Sequence, residues 1–469
     1  MTHSPVPAAK PLARGAPLGA TPDHQGVQFR VWARGRAAVS LLLENQPPIS
    51  MHPQADGYFA IHIAGLAPGA RYRFEIHGQA LPDPASRWQP EGPSGPSVVM
   101  NSQFDWSDDG WPGLPPYGQV LYELHIGTFT AQGTWAAATE RLETLRDLGI
   151  TALQLMPVAA FNGRFGWGYD TVLHYAPSHL YGTPDDLRRF VDRAHQLGLG
   201  VILDVVYNHV GIGDHFNDFS PDYFSSSHAV EWGATFNFDG EGSAGVRTFI
   251  VQNAVYWVRD FHFDGLRLDA TQALFDDSAR HIIAEIVRET RAAAPGRHLY
   301  IVAENQPQDR QLVEAPEAGG YGVDAIGNDD FHHAARVALT GHNDFYYRDY
   351  LGTASELLAS AKYGFLYQGQ RSDMREKPYG TPSLDLKPWN FVHFLENHDQ
   401  VANSARGLRM DKLGAPGDVR AITALVLRPA IGNRCRHVAF QACEIEKSAR
   451  GAKFLAMKQA GRLWREQKQ

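Results

Sequence analysis

Residues 263–273 read FDGLRLDATQA. Leu266, Leu268 and Ala270 alternate as they do in a buried strand. Arg267 and Asp269 stand between them. Side chains two apart on a strand share a face, so a cation and a carboxylate lie side by side in an apolar element. Burying such a pair costs several kcal/mol unless its hydrogen bonds are well met. A structural ion pair satisfies this pattern. So does a carboxylate held ionised for chemistry, and the neighbouring sequence has to separate the two.

Working outward, the same grammar repeats. Candidate strands are 121–129 (LYELHIGTF), 152–158 (ALQLMPV), 201–209 (VILDVVYNH), 265–270 (GLRLDA), 300–305 (YIVAEN), 322–327 (GVDAIG) and 391–399 (FVHFLENHD). Amphipathic stretches such as AATERLETLRDLG and PDDLRRFVDRAHQLG lie between them, with apolar residues at helical spacing. Strand–helix alternation argues a parallel sheet, and this many units argue a (β/α)₈ TIM barrel over residues 106–427. The insertion at about 210–245 is too polar and Gly-rich for one helix and is expected to form a loop subdomain. Ahead of the barrel, VQFRVWA, AVSLLLE, GYFAIHI and ARYRFEI alternate between turn residues, which argues an N-terminal β-sandwich over 21–105. Residues 83–97 (DPASRWQPEGPSGPS) read as an extended connector, and the Ala/Pro-rich residues 1–20 as a disordered start.

Composition excludes several classes. The 469 residues carry a net charge of -8, so no nucleic-acid or acidic-membrane partner is expected. With two Cys no disulfide framework exists. The N-terminus has no apolar segment of the secretory kind, and no run of about 18 apolar residues occurs. A cytoplasmic protein is the expectation. No GxGxxG follows a strand, which disfavours a nicotinamide barrel, and no phosphate-binding Gly-rich loop is expected near the eighth strand.

The text changes after Leu427. From Arg428 onward there are 10 Lys and Arg against 3 Asp and Glu, a net of +7, whereas the preceding residues carry -15. Both Cys435 and Cys443 lie in this atypical basic tail, 428–469. The switch looks like foreign or out-of-frame sequence where an eighth strand belongs. The expectation is a barrel with its last strand missing, two exposed edges and poor stability. HVAFQA is the one segment that could serve as an improvised strand.

Functional side chains of such barrels gather at the C-terminal ends of the strands. Those ends supply Asp204, Asn208 and His209, then Arg267 and Asp269, then Glu304, then His398 and Asp399. Asp269 beside Arg267 suits a nucleophile kept ionised, because a cation about 4–6 Å away lowers a carboxylate pKa. Glu304, raised by the neighbouring carboxylates, suits a general acid. Two carboxylates about 5–5.5 Å apart define a retaining glycosidase. Asp399, with His209 and His398, would bind sugar hydroxyls, and Phe165, Trp167 and Tyr169 of RFGWGYD offer faces on which a sugar can stack. Asp204, Asn208 and His209 also invite a metal reading. Asp204 and Asn208 are four apart across a strand end, which matches no familiar ligand spacing. Asn208 with oxygens from the insertion is the remaining route to Ca²⁺. No cofactor or metal is expected.

DVVYNH, GLRLDA, the Glu of IVAEN and NHDQ resemble, in order, the four signature regions of the α-amylase glycoside hydrolases. The resemblance implies nucleophile Asp269, acid/base Glu304 and stabiliser Asp399, with Asp204, Arg267, His209 and His398 around the sugar and Tyr169 stacking on it. Longer stretches, GRFGWGYD, NDDFHHAARVALTG, GFLYQGQRSD and ENHDQVANSARG, resemble the malto-oligosyltrehalose trehalohydrolase subfamily. That implies cleavage of the α-1,4 bond next to a terminal trehalose unit, with malto-oligosyltrehalose or another α-glucan as substrate and the synthase that makes the trehalose end as pathway partner. It also implies a carbohydrate-binding-like sandwich. The sequence departs from the subfamily at Gln272, where His is common, at Gln306, where an acid is common, and at Glu396, where Gln is usual. A branching enzyme, an amylase-type hydrolase and an inactive glycan-binding relic are the competing readings.

Overall fold

The computed structural model describes residues 16–403 and 406–427 and the backbone of 437–441. The basic tail and the first fifteen residues otherwise lie outside the described residues. Eight parallel strands close a barrel. They are β1 (Val120–Leu124), β2 (Ala152–Leu155), β3 (Gly200–Val205), β4 (Gly265–Leu268), β5 (Val302–Ala303), β6 (Ala325–Gly327), β7 (Phe391–Phe394) and β8 (His437–Gln441). The register aligns Leu121 with Ala152, Ala152 with Gly200, and Asp204 with Arg267.

β8 corrects the expectation of an open barrel. It pairs on one side with β7, His437 opposite Val392, and on the other with β1, Val438 opposite Val120. The physical reason lies in the backbone. Without it, β1 and β7 would each present a row of unpaired N–H and C=O groups. A short alternating segment satisfies them through main-chain hydrogen bonds, which do not depend on side-chain identity.

Most strands are shorter than their apolar runs. β1 ends at Leu124, where His125 caps a short helix over Ile126–Phe129. β7 ends at Phe394, and Asn397 caps the helix His398–Ala402 by accepting from the Asp399 N–H. The chain leaves the sheet at these turns, before the apolar run is over, and the polar residues that follow become the top of the barrel. Thr171–Pro177, which pairs with Ala159–Phe161, is absent from the strand expectations. All seven of its residues are buried, so it carries no period-two alternation. The helix expected over PDDLRRFVDRAHQ is observed at Pro184–Gln196, opened by a capping box between Thr183 and Asp186.

The N-terminal region forms two antiparallel sheets, one built on Gly26–Trp32 and Tyr58–Ala64, the other on Ser40–Leu43 and Arg71–Ile76. It seats on the barrel through aromatic contacts. Trp32 meets Tyr223 edge-on at 4.8 Å, and Phe74 meets Phe219 at 6.2 Å. A Cβ on Gly245 would lie 2.1 Å from the Trp32 ring, so the helix Ser243–Asp260 approaches only because glycine stands there. The 210–245 insertion contains two short helical turns, Phe216–Phe219 and Pro221–Tyr223, around a core of Phe216, Tyr223, Phe236 and Phe249.

At the opposite, N-terminal mouth, His195 sits between Asp108 and Asp264, 2.8 Å from each. Trp111 stacks on the imidazole at 4.8 Å and donates its indole N–H to Asp264 at 2.6 Å. His262 also meets Asp108 at 2.8 Å. This clasp ties the connector before β1 to the starts of β3 and β4.

Candidate active site

The barrel interior is filled in layers. Leu121, Ala152, Ile202, Val302, Ala325 and Val392 form an apolar layer. Two residues further along, side chains again point inward. There the sequence supplies Glu123, Gln154, Asp204, Arg267 and Glu304 in place of aliphatic residues. Hydrophobic patterning therefore builds the floor, and one further step along each strand builds the site. An open cavity here is lined by Glu123, Arg267, Glu304, Asp329, Glu396 and Asn397 among others.

Arg267 organises the centre. It is 5% exposed, and its guanidinium meets three carboxylates. Nη1 donates to Asp204 at 2.9 and 3.0 Å and to Asp269 at 2.6 Å. Nη2 lies 2.9 Å from Glu304. The other oxygen of Asp269 accepts from the Asn208 amide at 2.7 Å. Glu304 accepts the backbone N–H of Ala270 at 2.9 Å, and Ala270 adopts a left-handed φ of 39° at the turn after β4. A guanidinium shared by Asp269 and Glu304 holds the two carboxylates against the same small volume.

The second half of the site comes from the loops. The Tyr169 hydroxyl donates to Asp204 at 2.7 Å, and its ring stacks on His398 at 4.7 Å. Trp167 meets His398 edge-on at 5.6 Å. His398 Nε2 lies 3.5 Å from Asp399, whose side chain is half-exposed to the cavity mouth. His209 is buried, with Nδ1 against the Asn208 amide oxygen, and its ring lies 5.9 Å from Trp232. Phe165 is 86% exposed, with the Arg164 guanidinium 5.5 Å from its ring. Asn208 spends its amide on Asp269 and His209, and among the described residues no cluster of three or more His, Cys, Asp or Glu could hold a metal ion.

Burial dominates the electrostatics of the buried carboxylic acids. Burial pushes Glu304 above the ordinary carboxylate range; Arg267 opposes this and Asp269 adds to it. Burial is thus the larger cause, ahead of the neighbouring charge expected from sequence. Asp204 is pushed up to about 7, again by burial against the pull of Arg267. Asp269 accepts from Arg267 at one oxygen and from Asn208 at the other.

Three polar residues of the cavity were absent from the strand-end reading. Glu123 interrupts the apolar run of β1 in register with Leu121, a signal as legible as Arg267 in β4. Asp329 opens the helix Asp329–Thr340, and burial, with Glu304, Asp330 and Asp399 adding, pushes it up to about 8. Glu396 accepts from the Met410 N–H at 2.8 Å and from Arg409 at 3.3 Å, so it anchors the loop after the site. Gln272 and Gln306, two of the departures from the subfamily, meet each other: the Gln306 N–H donates to the Gln272 side chain at 3.4 Å.

The α-amylase catalytic-domain family matches residues 99–232, and carbohydrate-binding module 48, the isoamylase N-terminal domain, matches residues 17–91. The malto-oligosyltrehalose trehalohydrolase of Saccharolobus solfataricus is 41% identical over 87% of this chain, which covers 72% of that protein. The malto-oligosyltrehalose trehalohydrolase of Deinococcus radiodurans is 41% identical over 84% of this chain, which covers 64% of that protein. The 1,4-α-glucan branching enzyme GlgB 2 of Streptomyces coelicolor is more distant, 34% identical over 55% of this chain and 38% of its own length. Among solved structures, a putative α-amylase from Salmonella typhimurium superposes with a TM-score of 0.85 at 36% identity, covering 92% of this chain and 74% of its own. A pullulanase from Bacillus acidopullulyticus shares the fold, with a TM-score of 0.66 at 21% identity over 88% of this chain and 56% of its own. A closed parallel barrel, a carbohydrate-module-like sandwich in front of it and relatives of this identity and coverage lead to one conclusion: the chain belongs to the malto-oligosyltrehalose trehalohydrolase family of α-amylase-type glycoside hydrolases.

Proposed function

We propose that this chain is a retaining glycoside hydrolase that cleaves the α-1,4-glucosidic bond next to the terminal trehalose of malto-oligosyltrehalose. The observation that carries the chemistry is the single Arg267 guanidinium gripping Asp204, Asp269 and Glu304, with Glu304 raised above the carboxylate range. The trehalose specificity rests on the family.

In the first step a carboxylate oxygen of Asp269 attacks the anomeric carbon, and Glu304 gives its proton to the departing glycosidic oxygen. The C–O bond to trehalose breaks, trehalose leaves and a glycosyl ester remains on Asp269. In the second step the Glu304 carboxylate takes a proton from water, whose oxygen attacks the same carbon and releases Asp269. Configuration is retained by two inversions. Asp399 and His398 bind sugar hydroxyls and favour the oxocarbenium-like transition state. His209, Asp204 and Arg267 hold the ring, and Tyr169, Trp167 and Phe165 offer it apolar faces.

The proposal extends to the setting. The synthase that forms the trehalose end is the pathway partner, and trehalose biosynthesis in the cytoplasm is the context. Among the described residues no helix is long and apolar enough to cross a membrane. The working division of the chain is a start over 1–20, a glycan-binding-type sandwich over 21–105, a catalytic barrel over 106–427 and the basic tail.

The test is product analysis on the whole chain, with malto-oligosyltrehalose and plain malto-oligosaccharide as separate substrates. Free trehalose from the first, with little cleavage of the second, is the expected result. New α-1,6 bonds would mark a branching enzyme, maltose an amylase-type hydrolase, and binding without product a relic.

A further inference from the structure

Glu123 takes no part in the chemistry above, yet it is 2% exposed at the top of β1. Its carboxylate reaches His398, which follows β7, and grips it twice. Oε1 lies 2.7 Å from Nδ1, and Oε2 accepts the His398 backbone N–H at 3.1 Å. Between the two residues runs β8, with Gln441 opposite Glu123 and Ala439 opposite Phe394. The contact therefore spans the seam of the barrel, from its first strand to the turn that carries Asp399.

The chemistry at Nδ1 decides what Nε2 can do. A neutral imidazole that keeps its proton on Nδ1 leaves Nε2 an acceptor; only the imidazolium donates from both nitrogens. Nε2 lies 3.5 Å from Asp399. We propose that Glu123 is a positioning residue that keeps His398 doubly protonated, so that Nε2, beside Asp399, keeps a proton to donate to a sugar hydroxyl throughout the working pH range.

Glu123 from β1 and Asp399 from its own helix favour the charged ring, whereas Arg267 from β4 and burial oppose it. Asp204 on β3 and Glu304, the residue after β5, also interact with its charge, and the Tyr169 hydroxyl lies 3.4 Å from Nδ1. The balance raises His398 to about 9. Burial would push Glu123 up as well, but the imidazolium overrides it and holds the carboxyl below its ordinary value. The Tyr169 ring stacked on one face fixes the tilt of the imidazole, so the proton is held in position as well as retained.

This inference rests on the hydrolase reading for its consequence but not for its test. Histidine ring nitrogens of the ¹⁵N-labelled full chain are followed by NMR from pH 5 to pH 10, with the His398 signal assigned by its absence in His398→Gln. The wild-type ring should keep both protons until about pH 9. In Glu123→Gln the titration should fall by about two units, toward the ordinary histidine value. The ratio of variant to wild-type kcat/KM, in which the ionisation of Glu304 cancels, should then decline at least tenfold across that new midpoint. Glu123→Asp, shorter but charged, should keep a high titration and lower kcat at every pH. A wild-type His398 that loses a proton near pH 6.5, or a flat kcat/KM ratio in a folded Glu123→Gln, would overturn the proposal. The wild-type titration decides the matter even if the variant does not fold. If the chain proves inactive on every glucan, the titration still reads the pair, so the two failures remain distinct.

Discussion

At the scale of the residue, the site is one guanidinium and the carboxylates it holds. Asp269 has two readings that a single change separates. As nucleophile, Asp269→Asn loses turnover on the order of 10⁴-fold or more while glucan binding and melting temperature hold. As a mere partner of Arg267, the same change lowers the melting temperature and leaves residual activity. Calorimetry and product assay on one preparation give both numbers. Glu304 makes a second prediction. Its proton is retained above the ordinary glutamic acid value of 4.5, so the alkaline limb of kcat/KM should lie above that value. Glu304→Gln should lower kcat by about 10²–10⁴-fold and abolish that limb. An unchanged limb in the variant would assign the proton to another group. Residue identity at these positions was legible because each follows an apolar strand. Glu123 was equally legible by the same parity, but its partner His398 is 275 residues away, and no local pattern announces a pair at that separation.

At the scale of the element, the strands are short and held at both ends by polar contacts. The clasp of Asp108, His195 and Asp264 has a pH signature. The two carboxylates raise the His195 imidazole to about 9 in the fold, against 6.5 outside it. A raised folded value means the contribution is complete below pH 6.5 and lost as pH rises through about 9. It amounts to roughly 3 kcal/mol as an upper figure, counted once for the whole contact. Denaturant unfolding at pH 6 and pH 9.5 should show the loss in the wild type. His398 titrates in the same window, so the informative quantity is the difference from His195→Gln, in which the His195 part of the slope disappears. Equal slopes in the two proteins would mean that the clasp carries no charge-linked stability. The element scale also explains the misjudged segments. Thr171–Pro177 is buried on both faces and shows no alternation, and β1 stops short of the expected 121–129 because the backbone turns into a helix at the buried Ile126.

At the scale of the whole molecule, closure depends on a strand that the composition does not advertise. Deleting residues 428–469 removes β8 and uncovers the edges of β1 and β7. The truncated chain should melt several degrees lower and yield less soluble protein. Because Glu123 and His398 meet across that seam, it should also lose activity before it loses overall fold. A truncation with unchanged melting and unchanged activity would mean that β8 is dispensable. By itself the sequence determined the repeating strand–helix plan, the sandwich before the barrel and the strand-end residues, because burial writes a period into the chain and catalysis interrupts it at fixed points. Only the tertiary structure decided that 437–441 closes the barrel, since a strand edge is satisfied by backbone groups that every residue but proline carries in full. The same holds for the Arg267 hub, Glu123 with His398, and the gap at Gly245 that admits Trp32. These are distances between segments far apart in the chain, and nothing in a local pattern contains them.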